Sequence, residues 1–208
     1  MLRAPAVILW LIAALVAAHL VRIALDPSDA VIAEYAFIPA RYAHGFASVS
    51  LIIPFVSYMF LHANFAHLAI NCVWLLALGP VVARRFGVLL FLAFFLICGI
   101  AGALALLALD WQSQAAAIGA SGAISGLMGA AIRLMPIAGS PPPARPAPLL
   151  SRPVLVFTAT WVVLNLVLGL SSLGADLTGG GAIAWQAHIG GYFTGLFLVP
   201  VFDRWRSA

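Results

Sequence analysis

Runs of apolar residues almost free of charge recur along the chain near 4–25, 63–83, 88–109, 118–136, 153–172 and 183–202. An α-helix needs about 20 such residues to cross the hydrocarbon of a bilayer. The pattern therefore predicts an all-α polytopic membrane protein with six crossings, forming a single membrane domain over residues 1–208. The first run follows Arg3 and is rich in alanine, as a signal peptide would be, but it continues to Leu25, past the usual length of a cleaved hydrophobic region. It counts as a span, and six crossings place both termini on one side.

Residues 46–61 (FASVSLIIPFVSYMFL) are apolar enough to suggest a further crossing, yet they are short and carry Pro54 in the middle. They are expected to belong to a long loop from Asp26 to His62. Its apolar half would lie at the membrane interface as short broken helices, buried against protein where the backbone can be satisfied. The segment 137–152 (IAGSPPPARPAPLLSR) is Pro-rich and reads as a plain connector.

Composition sharpens this picture. Hydrophobic residues make up 64% of the 208 positions and charged residues 8%, against about a quarter charged in a soluble domain. All ten basic residues are arginines, scattered over short loops without forming one basic face, so the net charge of +4 gives no reason to expect a nucleic-acid partner. Their distribution instead orients the protein. With the termini inside, Arg3, Arg84, Arg85, Arg145, Arg152, Arg204 and Arg206 are cytoplasmic and only Arg22 and Arg41 lie outside. Cys72 and Cys98 sit inside apolar runs and are expected to be free, buried side chains.

Polar residues within spans are costly, and each asks for a partner or a purpose. The second span opens with HANFAHLAIN, which puts His67 and Asn71 one helical turn apart on a shared face with His62 just before them. A His and an Asn together make a donor pair suited to an oxyanion, whereas His19 and His44 read as interfacial or packed residues. The fourth span opens with GASGAISGLMG, whose Gly119, Gly122, Gly126 and Gly129 form one helical stripe around Ser121 and Ser125. By itself this stripe would be small-residue packing. The sixth span holds AHIGGYFTG, with Gly191 and Gly195 spaced for close helix contact and His188 one turn nearer the outside.

These three spans enter from the same face, so His67, Asn71, Ser121 and His188 fall at a similar depth, roughly 10 Å below the outer surface. Two glycine-faced helices would bring Ser121 within hydrogen-bond reach of His188, the arrangement that makes a hydroxyl a nucleophile. The start of the fourth helix also offers free backbone N–H groups to a tetrahedral oxyanion.

The GxSG at Gly119 to Gly122, the HxxxxHxxxN at His62, His67 and Asn71, and the AHxGG at Ala187 to Gly191 together resemble the rhomboid family of intramembrane serine proteases, over residues 50 to 202. The resemblance implies that Ser121 attacks a peptide carbonyl and that His188 takes and returns the proton. His67, Asn71 and the Ser121 backbone N–H would stabilise the oxyanion, with His62, Gly119, Gly122, Gly191 and Gly195 structural near the site. It also implies single-span membrane proteins as substrates, lateral admission past the fifth span, and a mobile cap in GADLTGGGAIAWQ (174–186) before the sixth. The chain departs from the family's pattern at three places. Ser125 stands where many members stack an aromatic ring on the catalytic His, the outer loop has no Trp-Arg pair, and Ala83 replaces an acidic residue.

No carboxylate stands in these motifs, so the site reads as a Ser–His dyad. There is no HExxH to hold zinc, and Asp110 and Asp176 fall in loops rather than facing each other within spans, so no metal or cofactor is expected. A rhomboid-like binder of membrane clients that does not cut them is the competing class, although such proteins usually lack the Ser or the His. The protein is expected in a bacterial inner membrane, with both termini cytoplasmic and the active site opening to the outer face.

Overall fold

A backbone in hydrocarbon must satisfy its own hydrogen bonds, and the apolar runs accordingly fold as helices. The computed structural model describes residues 4–26, 29–43, 45, 48–136, 141–171 and 183–206. It contains α1 (Ala6–Leu25), α2 (Ala30–Tyr35), α3 (Pro54–Ser57), α4 (Phe65–Leu109), α5 (Ser121–Leu134), α6 (Arg152–Leu170) and α7 (Trp185–Trp205). Among the described residues there is no strand, and one isolated bridge pairs Phe37 with Ala117.

By length and composition, α1, α4 and α6 are able to cross a membrane. With 45 residues, α4 has the length of two crossings, and it breaks at Gly87, where φ is 76° and ψ is 176°. The chain doubles back at that residue. Gly99 on the second limb lies against Met59, and its carbonyl accepts the Tyr58 hydroxyl at 2.7 Å, although Tyr58 and Met59 precede the first limb. The apolar runs at 63–83 and 88–109 fall on these two limbs.

Length and composition do not single out α5 or α7. α5 has only 14 residues, a rise of about 21 Å. Gly119, with φ 113°, keeps the chain out of the helix until Ser121, and Met135 turns extended at the other end. Although α7 is 21 residues long, it is diluted by Gln186, His188, Thr194 and its glycines. Both helices turn their small and polar residues towards protein. In α5, 12 of the 14 residues are buried, and the helix sits between α4 and α7. Trp10, Val73, Leu89, Val163 and Leu170 are exposed on the outside of the bundle, as lipid-facing side chains would be.

The long loop covers one end of the bundle. The Asp26 carboxylate accepts from the N–H groups of Ala30 (2.9 Å) and Val31 (2.6 Å) and so starts α2. Phe37 and Ala117 exchange backbone bonds at 3.1 and 2.8 Å, tying the loop to the segment that leads into α5. The apolar part takes the form of short broken helices, with 3-10 turns at Val49–Leu51 and Tyr58–Phe60 flanking α3. Phe55, Tyr58 and Met59 are buried. The Tyr42 hydroxyl donates to the Leu51 carbonyl at 2.8 Å, and burial pushes this phenol up to about 12, against a smaller opposing effect of Arg41.

At the opposite end, the segment expected to be a plain connector is pinned by arginines. Arg85 holds both Asp203 oxygens, at 2.6 and 2.9 Å, and donates to the carbonyls of Pro143 and Ala144. Arg133 donates to the carbonyls of Ala147 (2.8 Å) and Leu196 (2.7 Å). These bonds fasten residues 143–147 across the break of α4 and the C-terminal halves of α5 and α7, because a buried guanidinium must find acceptors for its donors.

Candidate active site

The site is assembled at the loop-covered end from four helices. Asn64 caps α4, its Oδ1 accepting from the His67 N–H at 2.8 Å, which sets His67 in the first turn and Asn71 one turn further on. The Asn71 Nδ2 donates to the His67 carbonyl at 2.9 Å. Gly119 donates its N–H to the Tyr58 carbonyl at 2.8 Å, so the covering loop positions the residue that leads into α5. A Cβ at Gly119 would lie 2.8 Å from His67 Nε2, and its φ of 113° is one that L side chains rarely adopt. Glycine here lets the imidazole of His67 approach the backbone just ahead of Ser121. Ser121 is the first residue of α5, where the N–H groups of the opening turn have no partner within the helix.

Glycines set the distance between α5 and α7. A Cβ on Gly191 would strike the Gly122 carbonyl, one on Gly195 would strike the Gly126 carbonyl, and one on Gly129 would strike the Tyr192 carbonyl. The two backbones therefore touch. Gly122, Gly126 and Gly129 of the expected stripe do pack, whereas Gly119 stands outside the helix against His67. The packing also fixes the site: Ser121 Oγ lies 2.8 Å from His188 Nε2.

The other ring nitrogen, His188 Nδ1, is 2.9 Å from Oδ1 of Asn165 on α6, and Asn165 Nδ2 donates to the Trp161 carbonyl at 2.9 Å. With its amide nitrogen committed to a carbonyl, Asn165 presents oxygen to the imidazole. This network assigns the proton to Nδ1 and leaves the Nε2 lone pair facing the Ser121 hydroxyl. Asn165 did not figure among the sequence's candidates. The signal that could have found it is a lone Asn in an otherwise apolar span.

His67, Asn71, Ser121, Asn165 and His188 line one cavity of about 410 Å³, whose remaining wall is mainly apolar and includes Trp74, Met128 and Trp161. A second hollow of about 290 Å³ shares those three residues and runs on between the first limb of α4 and α6. The Oδ1 of Asn71 and Nδ1 of His67 are buried without a hydrogen-bond partner among the described residues.

His62 is fully buried beside this group, its ring 5.2 Å from that of His67 and 6.3 Å from that of His19, which is also buried. Ser125 is buried and lines the cavity, so no ring is offered to His188 from that position. Cys72 and Cys98 are free. Among the described residues no group of His, Cys, Asp or Glu could hold a metal ion. His44, Asp176 and the glycines of the expected cap at 174–182 lie outside the described residues.

An all-helical architecture with apolar, membrane-length helices and a polar cavity among glycine-packed helices defines an integral membrane protein. A family model described as the Rhomboid domain matches residues 50–204, well over half of the sequence, and the chain belongs to the rhomboid family. It is also similar to RHOMBOID-like protein 5 of Arabidopsis thaliana, 29% identical over 143 residues, which cover 69% of this chain and 41% of the plant protein. The match thus spans less than half the length of that relative, and a plant relative lends no support to the bacterial source expected from the sequence.

Proposed function

We propose that this protein is an intramembrane serine endopeptidase that cleaves transmembrane segments of membrane proteins. The observation that carries the reading is the 2.8 Å contact between Ser121 Oγ and His188 Nε2 at the edge of a cavity. In the proposed reaction, Ser121 adds to the carbonyl carbon of the scissile peptide while its proton passes to His188. His188 returns the proton to the leaving amine, and water, activated by the same imidazole, releases the acyl group. The Ser121 N–H, His67 and Asn71 surround the place where the oxyanion develops, and removing one such donor typically costs about 10²–10³ in rate.

The substrates inferred are single-span membrane proteins, admitted from the bilayer between the first limb of α4 and α6, where the second hollow adjoins the site cavity through Trp74, Met128 and Trp161. The chain would cross six times, the limbs of α4 counting as two and the short α5 being carried inside the bundle. The arginine distribution supports termini on the cytoplasmic side and a site opening outward.

The decisive test is labelling of the full chain in detergent or membranes with a fluorescent fluorophosphonate. The wild type should label, and Ser121→Ala and His188→Ala should not. An unlabelled wild type that still retains membrane clients would favour a non-cleaving binder, and labelling on Ser125 would move the nucleophile.

A further inference from the structure

The imidazole of a Ser–His pair must be held in one tautomer and one orientation, and Ser125, buried on the cavity wall, has no ring to stack on it. We propose that Asn165 is the positioning residue for His188, so that the site is a Ser121–His188–Asn165 triad with a neutral carboxamide where hydrolases commonly place a carboxylate. This rests on the reading of Ser121 and His188 as nucleophile and base.

Three observations carry it. The Asn165 amide is oriented from behind by the Trp161 carbonyl, so its oxygen, not its nitrogen, faces His188 Nδ1 at 2.9 Å. Asn165 and Val154 are the two buried residues of the 19-residue α6. A buried amide on a helix whose other residues, Val154 apart, keep some exposure has a specific partner to meet. Finally, the bond lies opposite the Ser121 contact on the same ring, so the two nitrogens of His188 are both occupied, one by the hydroxyl it would deprotonate and the other by an acceptor that keeps Nδ1 protonated.

A carboxamide orients the ring without contributing a charge. When Nε2 takes the Ser121 proton, the imidazolium is stabilised by a dipole alone, so the base stays weaker than it would beside a carboxylate.

The alternative role for a buried span Asn is to hold two helices together. The chain supplies a control for that role: Thr158 Oγ1 and the Tyr192 hydroxyl, 2.8 Å apart, also join α6 to α7. The experiment measures the rate of fluorophosphonate labelling from pH 5 to 10 for the full-length wild type, Asn165→Leu, Asn165→Asp and Thr158→Val, with thermal midpoints in detergent alongside. Asn165→Leu is expected to slow labelling at neutral pH by about 10- to 100-fold, the range lost when base catalysis is impaired. Asn165→Asp should recover most of the rate and shift the acid limb of the profile to higher pH, because a carboxylate favours the protonated ring. Thr158→Val should stay within about twofold of wild type.

A labelled wild type with Asn165→Leu equally fast would overturn the proposal. So would Asn165→Asp leaving the acid limb unmoved, or Thr158→Val slowing labelling as much as Asn165→Leu. If Asn165→Leu does not fold, the shifted limb of Asn165→Asp decides the matter alone. A wild type that takes no label defeats the protease reading itself, a separate result.

Discussion

α5 and α6 both border the cavity, yet they are held in opposite ways. α5 buries 12 of its 14 residues and meets α7 backbone to backbone through Gly122, Gly126 and Gly129. α6 buries two of 19 and is joined to α7 by the side-chain bonds of Asn165 and Thr158. The contrast teaches how a site of this kind can be both rigid and accessible. The distance between Ser121 and His188 is set by helices that cannot separate without opening a packed core. The wall facing lipid is a helix with little to lose by shifting.

That contrast makes graded expectations. The largest effect belongs to Gly195→Leu, whose side chain would have to displace the Gly126 backbone. It should cost at least about 3 kcal/mol or prevent assembly, seen as loss of the monodisperse peak in detergent chromatography. A monodisperse, wild-type-like variant would mean that the α5–α7 contact is softer than its geometry implies. Leu127→Ala, at a fully buried position of α5, should destabilise by roughly 2–5 kcal/mol in reversible unfolding. Tyr58→Phe removes the hydroxyl that the Gly99 carbonyl accepts and should cost about 1 kcal/mol by the same measurement. Val167→Ala, on the exposed face of α6, should fall within about 0.5 kcal/mol of wild type. If Val167→Ala matched Leu127→Ala, α6 would be as firmly packed as α5 and the distinction would collapse.

The same contrast explains what could be read from the sequence. Where helices meet through glycine, spacing carries the information. Gly122, Gly126 and Gly129 mark one face of α5, Gly191 and Gly195 mark the opposing face of α7, and the residues in register with them, Ser121 and His188, come together. The covering loop was readable for a similar reason, since Pro54 within a short apolar run rules out a regular crossing. Asn165 was not. α6 is apolar on nearly every side, so the run WVVLNLVLGL gives no indication of which way the helix is turned about its axis, and an Asn in it points to lipid, to α7 or along its own backbone with equal fit to the pattern. The length of α5 was hidden too. Ile118 to Ala120 are apolar or small and extend the run, yet the conformation of Gly119, imposed by Tyr58 and His67 from distant parts of the chain, delays the helix to Ser121.

Gly87 carries a consequence for biogenesis. It joins the two limbs of α4 with no connecting segment, in a backbone region that only glycine occupies easily, and a Cβ there would meet nothing within 4 Å among the described residues. A substitution such as Gly87→Val would leave every neighbour undisturbed and charge the whole torsional cost, about 1–3 kcal/mol, to the reversal itself. With each limb crossing the bilayer, as proposed above, neither can reach its place unless the other returns beside it, and the two would partition as a hairpin. The penalty should then appear as a lower yield of inserted protein in the membrane fraction.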